Sequence, residues 1–159
     1  LIEGGCDPLL IFRRLIAHSA EDVGMADPNA LVVAVSALTA YQNMGSPEGL
    51  LPLTEAIIYV CEAEKSNTVV NALDASRNDA KESKDDDVPK YLRDNSFASR
   101  EMKSESGKYL YPHNYGGWVE QQYLPESLKG KVYYHPSDRG FEHEVQEIRK
   151  RKRGEKTDH

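Results

Sequence analysis

Cysteine is nearly missing: Cys6 and Cys61 are the only two in 159 residues, too few to staple a fold and too far apart for a paired metal knuckle. No charged-then-apolar leader opens the chain, so a reduced, intracellular, cytoplasmic setting is expected. Long apolar runs are also missing. The richest windows, Ala30–Leu38 and Leu50–Cys61, are broken by Ser36 and by Pro52, Thr54 and Glu55, and neither reaches the ~18 apolar residues that cross a bilayer. No membrane partner is expected.

The chemistry of a catalyst is missing as well. There is no G-x-x-x-x-G-K-[ST]; Gly45-Ser46-Pro47-Glu48-Gly49 has glycines but no following lysine, and its proline removes an amide that phosphates would use. Cys6, Cys61, His18, His113, His135, His143 and His159 supply zinc-ligand types, but no two stand at the two-to-five spacing of a closed site. The sequence therefore assigns no catalytic, cofactor or metal residue, and the chain is expected not to be an enzyme. Cys61, on an apolar face, is expected to be a small buried hydrophobe rather than a nucleophile.

What is present is helical patterning. The opening Leu1–Pro8 reads as the last turn of a helix whose body lies upstream, closed by Gly4-Gly5 and followed by an Asp7-Pro8 start. Leu9, Ile11, Phe12, Leu15 and Ile16 then predict an amphipathic helix to about Ser19. Asp27-Pro28 opens a second, with Leu31, Val32, Val35, Leu38 and Tyr41 as its stripe, widened by Val33, Ala34 and Ala37. A helix so apolar around its circumference belongs inside a bundle or against another subunit. A third starts at Ser46-Pro47-Glu48 and puts Leu50, Leu53, Ile57 and Val60 on one face, with Leu51, Ile58 and Cys61 beside it. Ser66 caps a fourth through Val69, Val70, Leu73, Ala75 and Ala80.

The texture then changes. Asp85, Asp86 and Asp87 form an acidic run, a short helix is expected around Ser99–Glu105, and residues 108–136 are dense in Tyr, Pro, Gly and His without a lasting period. Six of the nine tyrosines fall there, with Trp118. Tyr111, Tyr115, Trp118, Tyr123 and Tyr134 are read as structural anchors that lay an extended coil on the helical core. Base stacking is the weaker reading, because no Lys or Arg lies between Tyr109 and Pro125. A last helix, from about Asp138 through Arg151, ends in Arg149-Lys150-Arg151-Lys152-Arg153. These five cations are the candidate DNA contact, in a chain whose net charge is -6. The expected organisation is a helical core over residues 1–81, an acidic linker over 82–98, and an aromatic-rich segment with a basic helix over 99–159.

One ordered set of motifs is more specific than any of these. Glu3-Gly4-Gly5, Asp7-Pro8-Leu9, Arg13-Arg14-Leu15, Ser19–Gly24, Ala26-Asp27-Pro28, Pro47-Glu48-Gly49, Ile58-Tyr59 and Lys65-Ser66-Asn67 are followed by Tyr111-Pro112-His113, Gly117, Gln122–Pro125, Leu128, Gly130, Tyr133-Tyr134, Pro136 and Gly140-Phe141-Glu142. Over nearly its whole length the chain resembles the C-terminal region of the replication-associated recombination protein A (RarA/MgsA) family of AAA+ ATPases, whose eukaryotic relatives include the Werner helicase-interacting protein. Cys6, where an acidic residue is frequent, and Glu64, where proline is expected before Lys65, depart from the pattern. The second departure leaves the end of the third helix open.

The resemblance implies an all-α fold, a clamp-loader-collar-like helical array with an aromatic-rich coil and a C-terminal helix. It further implies a homotetramer, a role at stalled forks with DNA and single-strand DNA-binding protein as partners, and ATP and Mg held by a module upstream of this chain. Two functions follow as expectations: a non-catalytic oligomerisation module, or a docking module for DNA or single-strand DNA-binding protein through the basic helix.

Overall fold

In a computed structural model, described for residues 2–83, 88–89, 92 and 110–153, the chain forms, among the described residues, five α-helices and no strand. The acidic run and the helix expected around Ser99–Glu105 lie outside the described residues. The all-α class read from the sequence is the class observed. Contacts divide the chain into two units, residues 1–73 with 134–159, and residues 74–133.

In the first unit, α1 (Pro8–His18) starts where the Asp7 carboxylate accepts the Leu9 amide at 2.9 Å, with proline in the first turn. It ends at His18, beside the expected end at about Ser19, and passes into a wide turn, Ser19–Val23. Ser19 is buried there, its hydroxyl donating to the Leu15 carbonyl at 2.8 Å. Asp27 opens α2 (Asn29–Met44) by accepting the Asn29 amide at 3.0 Å. Helix α3 (Leu50–Glu62) follows a short turn and packs along α2, and α1 lies against both. Helix α4 (Thr68–Glu82) begins beside Ser66, whose hydroxyl accepts the Thr68 amide at 3.3 Å. Helix α5 (Phe141–Lys152) packs on the Gly24–Ala26 turn.

The interior selects one side of each of two broadly apolar helices, keeping Leu53 and Val60 of the expected α3 face but not Ile57. Helix α2 buries Ala30, Ala34 and Ala37, one small stripe at i, i+4, i+7, while Leu31, Val32 and Val35 stay exposed. Helix α3 buries Leu53, Ala56 and Val60 and exposes Leu51, Ile57 and Ile58. Cys61, expected inside, is exposed. Alanine on the inner face lets the helix backbones approach closely, and Phe12, fully buried with its ring 5.4 Å from that of Tyr41, fills the space that remains. Nor does α3 run on past its expected end at Glu64. It stops at Glu62, and the Lys65 ammonium turns back onto the carbonyls of Val60, Cys61 and Ala63, satisfying acceptors that a helix end leaves open.

In the second unit, single turns at Pro112–Tyr115 and Glu126–Leu128 punctuate the backbone. The Gln121 side chain accepts the Leu110 amide at 3.2 Å and donates to the Leu110 carbonyl at 2.8 Å, a strand-like exchange made by one side chain. Lys131 pairs with Asp79 at 3.2 Å.

Candidate functional site

The most ordered chemistry lies around a carboxylate that the sequence reading did not single out. Glu142, in the first turn of α5, is fully buried. It accepts hydrogen bonds from the Ser66 hydroxyl at 2.7 Å, the Tyr134 hydroxyl at 2.9 Å and the Ser137 amide at 3.1 Å, and from the Thr68 and Ser137 hydroxyls. Burial pushes its pKa up, but the bonds from Ser137, Thr68, Ser66 and Tyr134 outweigh burial and hold it at about 2. The same environment, burial first and then the bond to Glu142, drives the Tyr134 phenol up to about 12.

This carboxylate is a junction. It joins the start of α4, the 134–137 segment and the N-terminus of α5, where helix polarity also favours a negative charge. The surroundings are equally close-fitting. Gly140 takes φ +47, and a Cβ there would lie 2.2 Å from the Ala26 carbonyl oxygen; Gly24 takes φ +52, with Ser66 O 2.9 Å from an added Cβ. The Tyr59 hydroxyl donates to Asp27 at 2.9 Å. Ser66, Tyr134, Gly140, Glu142, Gly24 and Asp27 all came from the separate motifs quoted above, and folding gathers them on one side of the first unit. The signal lay in scattered motifs of the sequence, but nothing in their spacing shows that they meet.

The candidate DNA contacts separate into two groups. Arg149 is turned inward, donating to the Tyr134 carbonyl at 3.0 Å with its guanidinium 4.9 Å from the centre of the Tyr134 ring, and Lys150 pairs with Glu147 at 2.8 Å. Arg151, Lys152 and Arg153 are exposed. Of the aromatic candidates, Tyr134 sits at the Glu142 junction. Tyr111, Tyr115, Trp118 and Tyr123, in the second unit, keep 52%, 52%, 36% and 47% of their surface exposed, with the Tyr111 ring 5.0 Å from that of His113 and the Tyr123 hydroxyl accepting from Gln121 at 2.9 Å.

The model of the MgsA AAA+ ATPase C-terminal family matches residues 1–153. The chain belongs to that family. Among curated relatives of this MgsA C-terminal chain, an uncharacterised Thermotoga maritima protein is 43% identical over 145 residues, covering 91% of this chain and 24% of the relative. Replication-associated recombination protein A of Bacillus subtilis is 41% identical over 150 residues, covering 93% and 35%. More distant is the ATPase WRNIP1 of Dictyostelium discoideum, 30% identical over 136 residues, covering 84% and 16%. The MgsA C-terminal chain thus spans about a third or less of the relatives it matches. No helix among its described residues is long and apolar enough to cross a membrane.

Among the described residues, His18, Glu21 and Asp22 lie close enough to share a cation. All three are exposed, His18 at the end of α1 and Glu21 and Asp22 on the wide turn that follows, an arrangement common without an ion.

Proposed function

We propose that this chain is the non-catalytic tetramerisation module of an AAA+ ATPase that acts in DNA replication, recombination and repair at stalled forks. The observation that carries the reading is the outer face of α2 and α3. Helix α2 contains no charged residue in its 16 positions, and α3 contains only Glu55 and Glu62. On that outer side Val32, Leu51 and Ile58 keep 60%, 73% and 58% of their surface, with Leu31, Val35 and Ile57 adding smaller shares. Together these six expose roughly 500 Å² of apolar surface, a large part of the about 800 Å² that each partner of a standard interface covers. On α2 the buried residues are alanines while Leu31, Val32 and Val35 stay outside, so a second apolar surface is needed, and an identical copy offers one without any charge to match.

In this reading ATP and Mg belong to a module upstream, DNA and single-strand DNA-binding protein are partners of the whole protein, and this chain holds the ATPase modules together. Multi-angle light scattering between micromolar and near-millimolar chain tests it. A tetramer that Val32→Glu or Ile58→Glu dissociates is expected. A monomer throughout that range refutes the reading.

The exposed Arg151, Lys152 and Arg153 support a second reading, docking of DNA or single-strand DNA-binding protein on the end of α5. Reversing all three charges should then weaken fork-DNA binding and flatten its salt dependence. Unchanged binding to both partners removes this alternative.

A further inference from the structure

Four copies arranged as pairs of pairs need two different self-complementary faces, and the α2–α3 face supplies one. Helix α5 has the features of the other. Its inward side carries Glu142, Gln146 and Arg149, which bond to the 134–137 segment or the start of α4. The opposite stripe runs Phe141, Glu144, Ile148, Arg151, at helical spacing i, i+3, i+7, i+10. Glu144 and Arg151 are exposed, and Phe141 keeps 37% of its surface.

Glu144 and Arg151 are seven residues apart, so they lie nearly in line and about 10 Å apart along the axis. The acid is toward the N-terminus and the base toward the C-terminus. The acid end does not stand alone. An open groove there has Met25, Pro28 and Phe141 as apolar lining and Asp27, Glu64 and Glu144 as acids. The neighbouring cations are turned to backbone: Lys65 onto carbonyls at the end of α3, and Arg139 onto the Lys65 carbonyl at 3.0 Å. The base end, Arg151-Lys152-Arg153, is the complementary surface, and both ends are on one helix of one chain.

We propose that α5 pairs antiparallel with α5 of a second copy, Glu144 of each facing Arg151 of the other, with the basic last turn entering the acidic groove. This inference rests on the tetramer reading and adds its second interface. Two-fold symmetry makes every contact twice; Ile148 supplies apolar contact between the charges, and Phe141 supplies it in the groove lining. The two interfaces then respond differently to salt, because one is uncharged and the other is built on exposed ion pairs that counter-ions screen.

The test uses the chain and two single charge reversals, Glu144→Arg and Arg151→Glu, with dimer and tetramer read by sedimentation velocity. In low salt each variant alone sets like charges against each other, and the tetramer–dimer dissociation constant should rise about thirtyfold. An equimolar mixture of the two variants restores opposite charges at both contacts, as does the double variant E144R/R151E, so both should return to the tetramer. Wild-type tetramer should also fall to dimer as salt is raised. A mixture that stays dimeric, or single variants with the wild-type salt response, overturns the pairing. So does an Arg151→Glu protein that loses affinity for a DNA oligonucleotide and remains tetrameric. A wild-type chain that is monomeric at every salt concentration overturns the tetramer reading itself, whereas a wild-type tetramer indifferent to these charges overturns only the α5 pairing.

Discussion

Replacing Glu142 by glutamine is the most direct probe of what holds α4, α5 and the segment before α5 together. The Ser66 and Ser137 hydroxyls and the Ser137 amide converge on one carboxylate oxygen, and the Thr68 and Tyr134 hydroxyls on the other. Glutamine keeps one oxygen for the Ser137 amide, which can only donate, and turns its NH₂ to two hydroxyls that can accept. What is lost is the charge. A carboxyl held at about 2 and not at 4.5 corresponds to roughly 3 kcal/mol, which solvent screening reduces to about 2 kcal/mol. At this chain length that lowers the unfolding midpoint by about 4–8 °C.

The sign with pH follows from the lowered folded value. Below about 2 both folded and unfolded chains are protonated and the contribution is gone; above about 4.5 both are charged and it is complete. The wild-type advantage over Glu142→Gln should therefore be constant from pH 7 to about 5 and shrink steadily toward pH 2. Thermal unfolding followed by circular dichroism, at one fixed protein concentration across that pH range, measures it. Equal midpoints at pH 7, or a difference that does not shrink on acidification, refute the account of Glu142 as a charged junction.

Gly140→Ala should destabilise by about 3 kcal/mol or more and Gly24→Ala by about 1–3 kcal/mol, read by urea unfolding, because both take positive φ and Gly140 has a carbonyl oxygen where the methyl would go. Tyr134 should remain protonated beyond pH 11 in absorbance titration at 295 nm, since its phenol is held at about 12. Its raised value stabilises the fold below about pH 10, and that share is lost between about 10 and 12; Tyr134→Phe should abolish this part of the alkaline response. Arg149→Met should cost about 1–2 kcal/mol through the lost Tyr134 contacts, while Lys152→Met, exposed on the same turn, should change stability by less than about 0.5 kcal/mol.

Helix existence was legible wherever apolar spacing met a capping residue. Asp7-Pro8, Asp27-Pro28 and Ser66 each mark a start that the backbone then makes, because a cap acts over two or three residues and needs no distant partner. Facing was less legible. The broad stripe Leu31, Val32, Val35, Leu38 and Tyr41, widened by Val33, Ala34 and Ala37, did not say which of its sides is the core side of α2; Ala30, Ala34 and Ala37 are buried while Leu31, Val32 and Val35 are exposed. Both stripes are apolar, and periodicity does not rank two apolar sides of one helix; how closely α3 and α1 approach does. The basic block likewise read as five equal cations, whereas helical phase turns Arg149 inward and leaves Arg151 outside.

The sequence by itself determined the class of fold, the family, the main helix starts and the lack of a phosphate-binding loop, because each depends on composition or on contacts within a few residues. Only the tertiary structure decided that Ser66, Thr68, Tyr134 and Ser137 converge on Glu142. Hydrogen bonds between residues more than seventy positions apart, such as Ser66 to Glu142, leave no local period in a chain; they exist only once packing has set the distance.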